Sequence, residues 1–145
     1  MREMWFYIKI MIAAMGGWLG ALLGGWDGPL YALITFITID YVTGVMCGIA
    51  EHRLSSEIGF RGIFRKVAML MIVGVGAILD THVIKTGDVL RTAVVFYYVS
   101  NEAISILENV ARLGLPVPEK LRAVLNQLHD DQNHAENEYH EKKRL

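Results

Sequence analysis

Four long apolar stretches, carrying a few ionisable residues where lipid should be, decide what this chain can fold into. Residues 5–25, 29–50, 67–79 and 89–107 are hydrophobic, yet Asp40 lies mid-way along the second, Asp80 follows the third, and Asn101-Glu102 lies inside the fourth. A soluble domain of 145 residues has no use for so much continuous apolar sequence. A bilayer core about 30 Å thick does, because a helix needs ~20 apolar residues to cross it. The expected fold is therefore all-α, a multi-span helical membrane protein. Each charge inside it then needs a partner, a water-filled cavity or a task, since an ionised group in hydrocarbon is costly.

Composition agrees with this class, with 53% hydrophobic and 20% charged residues and a mean hydropathy of +0.34. Fourteen basic against fifteen acidic residues leave no pull toward nucleic acid. The charges concentrate in 51–66 and 112–145. The single cysteine, Cys47, excludes an intrachain disulfide and is read as a packing or lipid-facing residue.

Residues 5–25 are expected to be a retained span rather than a cleaved signal, because no polar cleavage region precedes the turn at Trp26-Asp27-Gly28-Pro29. Trp5, Tyr7 and Trp26 lie near its ends, as interfacial aromatics do. Pro29 suits the first turn of a second helix over 29–50. Residues 51–66 break the hydrophobicity; Ser55 or Ser56 is expected to cap a short helix ending on Arg65-Lys66, within a basic loop that carries Arg53, Arg61, Arg65 and Lys66. The third apolar run is too short alone and spans as 67–84 if its flanks lie in the interface or Arg65 and Lys66 snorkel. The fourth is placed at 89–107. Four spans are expected, within a transmembrane domain over 1–115, with three spans as the alternative.

Leu121, Val124, Leu125 and Leu128 recur at helical spacing, which predicts an amphipathic helix over 116–129. Residues 130–145, ending in Lys142-Lys143-Arg144, read as a charged, disordered tail. Basic residues favour the 51–66 loop and the C-terminal part, so both termini are expected in the cytoplasm. Met1 and Met4 offer two starts that differ by Arg2 and Glu3, with chance the favoured explanation.

Gly16, Gly20 and Gly24 recur every four residues, and Gly44 and Gly48 repeat the pattern on the face that carries Asp40. Such faces let helices approach closely, either within one chain or between copies. Asp40 and Glu102 fall at about 17 and 20 Å along their helices at 1.5 Å per residue. They could share a proton, bind a cation, or line a water-filled lumen together with Thr43, Asn101 and Ser105; the plainer alternative is local hydrogen bonding as neutral acids. Asp80 and Arg91 are expected to pair across the third turn at the outer boundary. No histidine has metal-ligand spacing, and neither a phosphate loop nor a catalytic triad is present, so no metal, cofactor or enzyme activity is expected.

The run Asp40-Tyr41-Val42-Thr43-Gly44-Val45, then Leu54-Ser55-Ser56, Ile58-Gly59 and Arg61-Gly62-Ile63, resembles the toxin secretion/phage lysis holin family. So do Phe96-Tyr97-Tyr98, Asn101-Glu102, Ile104-Ser105-Ile106-Leu107-Glu108-Asn109 and Leu113-Gly114-Leu115-Pro116-Val117-Pro118. The resemblance covers residues 30–128 and rests on the order and spacing of these fragments. It implies a bacteriophage holin of the bacterial cytoplasmic (inner) membrane that assembles and permeabilises it at a set time. The implied partners are the lipid bilayer, further copies of itself as a homo-oligomer, an endolysin and an antiholin. A small ion channel or proton-coupled transporter that uses the intramembrane carboxylates is the alternative.

Overall fold

The computed structural model describes residues 1–85, 87–124 and 127, and every regular element among them is helical. Helix α1 runs Arg2–Leu22 and stops at a glycine pair, Gly24 and Gly25, with φ of +85° and +104°. Those angles lie where L side chains rarely go, and they let the chain double back. Trp26 then folds onto α1, its indole Nε1 donating to the Gly16 carbonyl at 3.1 Å. Asp27 caps α2 (Gly28–Ala50) by accepting from the Leu30 N–H at 3.0 Å, with Pro29 in the first turn.

Ser55 caps α3 (Ser56–Ile78) in the same way, accepting from the Ile58 N–H at 3.2 Å. A π-helical segment, Leu79–Ile84, continues it without a break and ends at Lys85 with φ +57°. Together they make 29 residues, about 44 Å of helix at 1.5 Å per residue. The helix that carries the expected third span, 67–84, thus begins earlier, at Ser56, and ends at Ile84. The segment 56–66, expected as a separate short helix, is the first part of this continuous helix, so the short apolar run is extended on both sides. The Ser55 cap and the good helix formers Glu57, Arg61, Arg65 and Lys66 outweigh the break in hydropathy. Helix α4 (Val89–Arg112) closes the bundle.

Three helices, α1, α2 and α3 with its π-helical extension, are long and apolar enough to cross a membrane. With 24 residues, α4 matches them in length, but Arg91, Asn101, Glu102 and Glu108 dilute its apolar character. It packs chiefly along α2 and then α3, which turns Arg91, Glu102 and Asn109 inward. The apolar core, Leu23, Leu30, Leu33, Val73 and Val95, lies toward the Asp27 end of the bundle. There α3 and α4 touch so closely that a Cβ at Gly76 would sit 3.2 Å from the Arg91 Cα. By contrast α1 is attached near its C-terminal end, where Leu22 and Leu23 meet Gly74. Its Trp5, Phe6, Ile12 and Trp18 are exposed, an apolar surface suited to lipid.

Helical backbone resumes at 119–124. Leu125 and Leu128, on which the predicted amphipathic stripe also depends, and the tail 130–145 lie outside the described residues.

Candidate functional site

Lys66, Asp40 and Glu102 project from α3, α2 and α4 into one interior cluster. Each lies ten residues from its helix end at the Glu51 side (66 − 56, 50 − 40, 112 − 102), about 15 Å of helical rise. The Lys66 ammonium donates to Asp40 Oδ2 at 2.6 Å and to Glu102 Oε2 at 2.5 Å. Asn109 Nδ2 occupies the other Asp40 oxygen, Oδ1, at 3.1 Å and also reaches Thr43 Oγ1 at 3.1 Å. Thr43 donates in turn to the Ile39 carbonyl at 2.9 Å. Only 13% of the Lys66 side chain and 4% of the Glu102 side chain is exposed. Buried ions are tolerated when their remaining hydrogen-bonding capacity is met, and both Asp40 oxygens are used here. One ammonium between two carboxylates leaves a formal charge of −1.

Among the expected polar residues, Asp40, Thr43 and Glu102 are thus brought together. Ser105 lines a cleft beside them. Asn101 is half-buried and, among the described residues, forms no hydrogen bond to the network. Lys66 needs correction: it is not part of a solvated loop, because its place on the inward face of α3 aims it between the carboxylates. Arg53, Arg61 and Arg65 remain exposed, Arg61 beside Glu57 at 3.4 Å. The glycines divide: Gly20 lies under the Trp26 indole, Gly24 under the Arg91 side chain, Gly44 near Asn109 and Gly48 against Leu54, whereas Gly16 faces open space.

The expected Asp80–Arg91 ion pair is not formed. The Asp80 carboxylate instead accepts the backbone N–H groups of Leu90 and Arg91 at 3.2 and 2.7 Å, groups that a helix start leaves without intrahelical partners. The Arg91 guanidinium, on a residue 1% exposed, reaches across to the α1–α2 turn. It donates to the Leu23 carbonyl at 2.5 Å, the Gly25 carbonyl at 3.0 Å and both Asp27 oxygens at 2.6 and 3.2 Å. The fork of the guanidinium matches this set of acceptors as an ammonium could not.

Arg91 holds the Asp27 carboxyl below its ordinary value of 3.8, chiefly through their hydrogen bond. The stabilisation is complete above that value and is lost as pH falls further, through the lower value of the folded state. Thermal unfolding in detergent at decreasing pH should therefore show a loss below 3.8 that Asp27→Asn removes. The effect is expected to be small, since 42% of the Asp27 side chain is exposed.

At the opposite end Arg112 clasps Glu51 with two bonds of 3.0 and 2.7 Å and draws its carboxyl below the ordinary range. Between this pair and Lys66 lies a cleft of about 340 Å³ bordered by α2, α3 and α4.

The chain matches the bacteriophage holin family over residues 17–130. It is 43% identical over 124 residues to an uncharacterized 14.9 kDa protein from the nagH 3′ region of Clostridium perfringens, covering 86% of this chain and 94% of that one. It is 38% identical over 135 residues to an uncharacterized protein of Listeria innocua, 93% of this chain and 95% of the relative. A protein of Bacillus phage phi105 described as a probable holin is 32% identical over 93 residues, 64% of this chain and 68% of its own. No solved structure matches.

Proposed function

Because this chain belongs to the bacteriophage holin family, we propose that it oligomerises in the cytoplasmic membrane of a bacterial host and permeabilises it at a set time. The lesion releases an endolysin, or a toxin, held in the cytoplasm, and an antiholin sets against it. In this reading α4 is a fourth span, and both termini and the 51–55 linker face the cytoplasm. The basic residues support that orientation, since Arg53, Arg61, Arg65 and Arg112 gather toward the Glu51 end.

The observation that carries the proposal is the Lys66–Asp40–Glu102 bridge inside a bundle whose surface is apolar. A lesion-forming protein needs helices that rest inertly in lipid and later present a polar face to water. In the dispersed chain the polar faces of α2, α3 and α4 satisfy one another. On assembly they part and line the opening, where water replaces the lost partners and keeps the separated charges out of hydrocarbon. The open space above Gly16 and Gly17 allows α1 to approach a neighbouring copy closely.

The test is inducible expression in a bacterium that carries a cytoplasmic endolysin, with turbidity and membrane potential followed together. A delay followed by abrupt depolarisation and lysis is the expected result. Gradual depolarisation with the endolysin retained would overturn it and favour an ion channel.

A further inference from the structure

Among the described residues, the bundle interior is packed with apolar side chains toward one end and holds a cleft toward the other. Toward the Asp27 end, Leu30, Leu33, Val73 and Val95 fill the core, and Arg91 occupies what remains. Toward the Glu51 end the cleft of about 340 Å³ separates α2 from the first turns of α3. Glycines from both helices border it, Gly44 and Gly48 from α2, Gly59 and Gly62 from α3. A Cβ added at Gly62 would meet nothing within 4 Å, and those at Gly44 and Gly59 would meet polar atoms, Asn109 Nδ2 and Tyr41 Oη, at 3.7 Å. The mouth carries Glu51, Arg53 and Arg112, and Lys66 and Asp40 lie at the floor.

We infer that this cleft is a water-filled vestibule that opens at the Glu51 end and stops on the Lys66 bridge, part-way through the bundle. Its volume holds on the order of ten waters, and polar groups at mouth and floor give those waters partners. A lipid chain in the same space would lie against the Lys66 ammonium and the Asp40 carboxylate, which hydrocarbon cannot solvate. Water there hydrates the bridge from one side, while the apolar core and Arg91 close the other. The intact chain is thus already half of a transmembrane aqueous path, and the Lys66 bridge lies at its boundary. That the mouth faces the cytoplasm rests on the orientation proposed above; the vestibule itself does not.

Cysteine accessibility in the full chain tests this. With Cys47 replaced by alanine, Gly62→Cys and Gly44→Cys place a thiol in the cleft. Phe64→Cys places one at similar depth on the exposed face of α3. A cationic, membrane-impermeant methanethiosulfonate is applied to inverted membrane vesicles and to spheroplasts. Only the thiolate reacts, and an apolar setting suppresses it, so the cleft thiols should react about tenfold or more faster than Phe64→Cys. This is expected in inverted vesicles and not in spheroplasts. Faster reaction in spheroplasts alone would support the vestibule and overturn the orientation. If both cleft thiols react no faster than Phe64→Cys from either side, yet react fully once unfolded in dodecyl sulfate, the vestibule is overturned.

Discussion

Lys66→Met is expected to cost about 3–5 kcal/mol of folding stability, because it leaves Asp40 and Glu102 buried without their shared cation. The measurement is unfolding by dodecyl sulfate in mixed micelles, followed by the fluorescence of Trp5, Trp18 and Trp26. The triple variant Lys66→Met, Asp40→Asn, Glu102→Gln should recover most of that loss, since replacing a whole buried ionic group is far milder than breaking one. A triple-variant loss equal to the sum of those of Lys66→Met and of the double variant Asp40→Asn, Glu102→Gln would show that the ions are not coupled. If the bridge holds the chain in its dispersed form, Lys66→Met should also bring lysis forward in the turbidity assay. An unchanged onset would separate the bridge from timing.

Arg91→Ala carries the second large effect, also about 3–5 kcal/mol, since it strips a buried cation from its partner and leaves the Leu23 and Gly25 carbonyls without their donor. Arg91→Lys should restore only part of this, because one ammonium cannot span two carbonyls and a carboxylate as the guanidinium fork does. The same unfolding assay reads both. Full rescue by lysine would mean that charge alone matters at this turn and that the fork does not.

The helical class, the first two long apolar helices and the inward placement of Asp40 and Glu102 were legible in the residues, because apolar length and the cost of charge in lipid act locally. The continuity of α3 was not: the Ser55 cap marked where the helix begins, but the change in hydropathy after Lys66 split one helix into a short one and a span. Asn109 was missed although a signal existed. Glu102, Ser105 and Asn109 recur at i, i+3 and i+7, and Gly59, Gly62 and Lys66 repeat that spacing on α3. Carrying both stripes to their full length would have joined the lysine to the carboxylates. The partner of Arg91 could not be read this way. Asp80 is eleven residues away and Asp27 sixty-four, and the preference for Asp27 arises from the way the α1–α2 turn packs over α4.

Apart from Lys66–Asp40, the polar contacts that join one long helix to another run through α4: Arg91 to the first turn, Glu102 to α3, Asn109 and Arg112 to α2 and its end. That arrangement imposes an order on biogenesis. Asp40 leaves the ribosome 26 residues before Lys66 and 62 before Glu102 (66 − 40, 102 − 40). At about 5–20 residues per second it waits some seconds for its cation. The last helix to emerge completes the satisfaction of charges already delivered to the membrane, so a chain interrupted before residue 89 would be left holding ions it cannot yet pair in full.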